Sequence, residues 1–131
     1  RDIILPEMKR FVEHVHSHGK FVELHSCGHV EDRCQVFVDA GFDCWSPMNM
    51  NDTEALYEKY GDKIGIGVVY TPDFDPAAAT EEQLKEAARD YVSRCTKPGK
   101  LAVCSMYNGM LFASPVFRAE VYRASRERYA G

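Results

Sequence analysis

An imidazole and a thiol stand two residues apart in the stretch Phe21-Val22-Glu23-Leu24-His25-Ser26-Cys27-Gly28. Both groups bind soft divalent metals, and both move protons or attack electrophiles, so this pair is where chemistry would be sought first. A compact apolar segment bracketed by Gly19 and Gly28 reads as a short strand running into a turn. Side chains alternate along a strand, which puts His25 and Cys27 on one face at its carboxyl end, with Glu23 on that face below them. In parallel α/β proteins, ligands and reactions gather at the carboxyl ends of strands. Packing alone also places a His and a Cys two apart on buried strands, so the elements around the pair have to decide.

Composition narrows the classes. The chain of 131 residues is one domain's worth, and 45% hydrophobic with 27% charged residues is the balance of an ordinary globular protein able to bury a core. A net charge of -4 leaves no basic footprint for nucleic acid and no polybasic membrane patch. No apolar run approaches a membrane span, and no charged-then-apolar leader is present, which reads as a cytoplasmic protein. Five cysteines at irregular spacing (Cys27, Cys34, Cys44, Cys95, Cys104) argue for reduced thiols, some of them metal-binding, over a disulfide framework. Because the first residue is Arg1, the chain is expected to be a piece of something longer.

The elements that must position the pair follow from periodicity. Pro6 suits the start of a helix to about His18, with Met8, Phe11, Val12 and Val15 as its apolar stripe, ended by Gly19. Helical spacing splits His16 from His14 and His18, so these three read as surface residues. After the first strand, a helix over about 30–40 buries Val30, Cys34, Phe37 and Val38 and ends at Gly41. Phe42 to Ser46 reads as a strand stopped by Pro47, with Trp45 packing under its rim, and Met48 to Asn51 as a loop at the Cys27 end. Asn51 or Asp52 then caps a helix to Tyr60, with Glu54 in a capping-box position. In the strand Ile64 to Tyr70, Ile64, Ile66 and Val68 share one face, and Gly65 and Gly67 the other. Asp73 and Asp75 fall in a Pro-rich loop, and Thr80 with Gln83 caps a helix to about Cys95. A fourth strand over Leu101 to Met106 puts Ala102, Cys104 and Met106 on one face; a loop over 107–112 leads to Ser114-Pro115 and a last helix to about Tyr129.

Four strands alternating with helices mean a parallel sheet in a single domain over 1–131. Two architectures compete: an open doubly wound sheet, complete at this length, and the (βα)4 half of a TIM (β/α)8 barrel. On a flat sheet in chain order the first and fourth strands lie about 14 Å apart, and Cys27 and Cys104 do not meet. Curved into a barrel, inward side chains converge, and His25, Cys27 and Cys104 can reach one ion at ~2.0 to 2.3 Å.

His25-Ser26-Cys27-Gly28 at a strand end, with Cys104 at the end of the last strand, resembles the H-x-C…C zinc motif of the cobalamin-dependent methyltransferase branch of the uroporphyrinogen decarboxylase-like superfamily. The glycine-ended helix before the first strand and the Ala40-Gly41-Phe42-Asp43 turn resemble that family too. The resemblance covers essentially the whole chain and implies the C-terminal half of a TIM barrel. It implies zinc on His25, Cys27 and Cys104, a thiol or other acceptor activated at the metal, and methyl exchange with a corrinoid (cobalamin) partner protein. Glu23 is then a candidate support for the ligands, and Met48, Asn49, Tyr70 and Met106 are candidate substrate contacts near the strand ends. Met48 and Asn49 stand where some members have a zinc-interacting carboxylate. Two alternatives remain at this stage: decarboxylation of a porphyrinogen, a lyase activity, and a non-enzymatic flavodoxin-like binding domain. As half of a barrel, the piece is expected to self-associate or to need its N-terminal half.

Overall fold

The computed structural model describes residues 3–130. Its order is α1 (Ile4–Ser17), β1 (Glu23–Ser26), a 3-10 turn at Glu31–Arg33, α2 (Cys34–Ala40), β2 (Cys44–Pro47), α3 (Thr53–Tyr60), β3 (Gly65–Val68), α4 (Glu81–Cys95), β4 (Ala102–Cys104), a second 3-10 turn at Met106–Asn108, α5 (Gly109–Ala113) and α6 (Pro115–Ala130). All strand pairings are parallel, in the order β1-β2-β3-β4. A doubly wound sheet reverses its strand order at a switch point, and the four strands here contain no reversal. Among the described residues no helix is long and apolar enough to cross a membrane.

The strands are shorter than the apolar runs suggest, because the ends of each run leave the ladder to build turns. Gly41 ends α2 at φ 88°, a left-handed conformation that a side chain would strain. Helix α4 opens with the full Thr80/Gln83 capping box. At α3 the cap is Asp52, whose carboxylate accepts from Ala55 N–H; that leaves Glu54 one residue out of box position. The segment over 107–112, expected as a loop, winds into the second 3-10 turn and α5. In α1, Met8, Val12 and Val15 pack inward while Phe11 stays 56% exposed, so the buried stripe is narrower than its spacing suggests. Cys34 is core, as its place in the α2 stripe requires.

One face of the sheet carries the core. Trp45, Ile66 and Val68 are essentially inaccessible and share a cluster with Phe37 of α2, Leu56 and Tyr57 of α3, and Ala88, Tyr91 and Val92 of α4. The Trp45 ring meets Phe37 edge-on at 5.0 Å between centroids, and its indole N–H donates to Ser26 Oγ at 2.9 Å. Helix α6 lies along α4. Between them Glu120 is buried and accepts from Arg89 Nε at 2.8 Å and Arg123 Nε at 2.9 Å.

Candidate functional site

Strand register fixes what stands beside His25. Glu23 pairs with Cys44 and that with Gly65; His25 pairs with Ser46; and Gly67 pairs with Val103. These residues share the parity opposite to Trp45 and Ile66, the parity on which Glu23 and His25 are exposed. The glycines do not leave that face bare. A Cβ on Gly65 would meet Cys44 Sγ at 2.9 Å, Leu101 Cδ2 at 3.1 Å and Val103 Cγ1 at 3.3 Å, so those side chains close over the space a side chain would take.

His25 and Cys27 come together. The imidazole Nε2 lies 3.7 Å from Cys27 Sγ, and Nδ1 lies 2.9 Å from the Ser46 carbonyl oxygen. A carbonyl only accepts, so Nδ1 carries the hydrogen, and in the neutral ring Nε2 presents its lone pair toward the thiol. That is the orientation of a metal-binding histidine whose second nitrogen is held by a backbone carbonyl. Ser46 does double work, since its hydroxyl donates to Glu23 Oε1 while its carbonyl orients His25.

The turn carrying Cys27 is held by a residue the sequence left as a helix cap. Asn51 is 5% exposed; its Oδ1 accepts from Val30 N–H at 2.9 Å, and its amide donates to Gly28 O at 3.0 Å and Met48 O at 2.9 Å. Met48 Sδ in turn accepts from Gly28 N–H at 3.2 Å. Asn108, 1% exposed, fastens the end of β3 in the same way, accepting from Tyr70 N–H at 2.9 Å and donating to Val68 O at 2.8 Å. The only signal for either was a polar amide in a loop just past a strand end.

Cys104 is not brought to the pair. Ile66 N–H donates to Leu101 O, and the register sets Ala102 beside Ile66 and Cys104 beside Val68, on the helix-covered parity. The residues of this strand on the His25 side of the sheet are therefore Leu101 and Val103, where the sequence reading expected Ala102, Cys104 and Met106. Leu101 to Cys104 is apolar throughout, so nothing in its pattern distinguishes the two registers. The Cys104 thiol lies close enough to Tyr91 of α4 to bear on that phenol, which burial pushes up first of all. Burial likewise raises the Cys104 thiol. Among the described residues no three His, Cys, Asp or Glu side chains gather closely enough for one ion. The donor types of His25 and Cys27 fit a soft cation; Cys104, as placed, does not join them.

The remaining candidates are dispersed. Met48 is part of the Cys27 turn, and Asn49 lines a small cavity of about 190 Å³ with Asp52, Thr53 and Thr71. Tyr70 turns toward α4, donating to Asp90 Oδ2 at 2.8 Å under the Arg94 guanidinium; burial and then Asp90 raise its phenol. Met106 is 72% exposed. The His14 and His18 rings meet on the surface, tilted at 60° with centroids 4.7 Å apart, while His16 Nε2 reaches Asp43 Oδ2 at 2.8 Å, a carboxylate that also accepts from Val22 N–H. Buried Cys34 and Cys95 are each pushed up to about 12 by loss of solvent, which keeps them protonated. A cavity of about 480 Å³ with Asp43, Lys63, Gly65 and Lys100 in its wall lies at the amino ends of the strands, away from His25.

Set against known protein-family models, curated proteins and solved structures, the chain matches none.

Proposed function

We propose that this chain is the C-terminal half of a (β/α)8 barrel enzyme that uses His25 and Cys27 as zinc ligands in methyl exchange between a corrinoid protein and a thiol or other acceptor. The observation that carries the reading is the orientation of His25: Nδ1 is tied to the Ser46 carbonyl and Nε2 is free beside Cys27 Sγ. Chain-order parallel strands and a sheet face on which Glu23 and His25 stay exposed support the half-barrel, whose lumen that face would line. Zinc, when bound, would lower the pKa of a thiol so that it reacts as the thiolate at neutral pH. What the chain itself does is hold the imidazole by the Ser46 carbonyl and hold the Cys27 turn by Asn51.

Cys104 completes the ligand set in this reading only after the end of β4 turns its thiol to the His25 side. Equilibrium dialysis against zinc tests each residue. His25→Ala and Cys27→Ser should each lower bound zinc by at least tenfold, while Cys34→Ser and Cys95→Ser should not. Zinc retained by Cys27→Ser overturns the metal reading. Loss of zinc in Cys104→Ser would mean that β4 does rearrange around the ion.

A second reading, decarboxylation of a porphyrinogen, is favoured by one observation: with Cys104 on the other parity, this chain offers two soft ligands and not three. Turnover of a porphyrinogen by the completed barrel, undiminished in Cys27→Ser, would select it.

A further inference from the structure

On the face that carries His25, Glu23 is the one carboxylate among the paired strand residues. Its row and the next are filled by Cys44, Gly65, Ser46, Gly67 and Val103, which carry no positive charge. Among the described residues no Lys, Arg or His pairs with the Glu23 carboxylate; its recorded partner is the Ser46 hydroxyl, which donates to Oε1. The carboxylate also lies close enough to Cys44 to help burial raise that thiol, so its charge reaches across the face. Glu23 stands two positions before His25, about 7 Å along the strand, one small molecule's length from the imidazole–thiol pair.

We propose that Glu23 sets the charge preference of this site, selecting a substrate that bears a quaternary or protonated amine and placing it with the reacting group toward His25 and Cys27. Ser46 positions both ends of that arrangement, holding Glu23 by its hydroxyl and His25 by its carbonyl. The inference rests on the reading of this face as the site, but not on zinc.

The test is an NMR titration of the isotopically labelled chain, following the Glu23–Gly28 amides. Tetramethylammonium is compared with its neutral isostere tert-butanol and with methanesulfonate. Glu23 is exposed, so the cation should bind about threefold to fivefold more tightly than the isostere, the range of a solvent-accessible charge pair, and methanesulfonate most weakly. In Glu23→Gln that preference should vanish, while in the α1 control Glu13→Gln it should persist. Ser46→Ala, which frees the carboxylate but keeps the carbonyl that holds His25, should reduce the preference without removing it. Equal binding of cation and isostere, tighter binding of the anion, no binding at these amides, or a preference that survives Glu23→Gln overturns the proposal. A cation preference that persists in a chain shown by dialysis not to bind zinc would overturn the methyltransferase reading and leave this one standing.

Discussion

Replacing Asn51 by Ala should loosen the Cys27 turn. The substitution removes three hydrogen bonds at once, to Val30 N–H, Gly28 O and Met48 O, all between 2.9 and 3.0 Å and all in partly buried backbone. A backbone group left without a partner costs about 1–3 kcal/mol, but the turn is near the surface and water can replace part of each bond, so we expect a total of about 2–3 kcal/mol. In a domain of this size that is a fall in Tm of roughly 10 °C. Urea unfolding by circular dichroism gives the free energy, and Asn51→Asp tests the polarity of the argument. The aspartate keeps the acceptor for Val30 but sets a carboxylate oxygen against two carbonyls, so at neutral pH it should cost at least as much as Ala. Acidification should recover part of that loss as the carboxyl gains a proton it can donate. A cost under ~0.5 kcal/mol for Asn51→Ala, or an aspartate as stable as the wild type at pH 7, would refute the account of how the turn is held.

Three further outcomes follow from the same structure. Glu120 is held at about 2, below its ordinary 4.5, by the Arg123 and Arg89 hydrogen bonds; a depressed folded-state value means the contribution is fully present above about pH 4.5 and is lost as pH falls toward 2. Linkage sets a ceiling of about 3 kcal/mol, reduced to about 1.5 kcal/mol by the exposure of both arginines, so Glu120→Gln should cost that much at pH 7 and almost nothing at pH 2, measured by denaturant titration at each pH. Under native conditions a thiol reagent should modify Cys27 and Cys104 and spare Cys34 and Cys95 until the chain unfolds; rapid labelling of four or more thiols would contradict the burial of those two. Gly65→Ala drives a Cβ to 2.9 Å from Cys44 Sγ and should destabilise by about 1–3 kcal/mol, whereas Gly65→Ala paired with Cys44→Ala should recover part of it; no recovery would mean that Leu101 and Val103 set the limit instead.

The sequence determined the alternation of strands and helices, the parallel sheet and the His25–Cys27 face. The first two follow from local periodicity; the third follows from it only as far as Ser26, since Cys27 lies one residue past β1, in the turn that Asn51 holds. Burial of Cys34 was equally legible, because it lies on the apolar stripe of an amphipathic helix. The placement of Cys104 was not. Leu101 to Cys104 is apolar at every position, so a one-residue slip exchanges its faces at no cost visible in the sequence, and only the pairing of Ala102 with Ile66 sets Val103 on the His25 side and Cys104 toward α4. Asn51 and Asn108 were hidden for a related reason. Their partners, Gly28 and Val30 for one and Val68 and Tyr70 for the other, lie more than twenty residues away in sequence, and the need for an amide arises only when two loop backbones are brought together without a ladder to satisfy them.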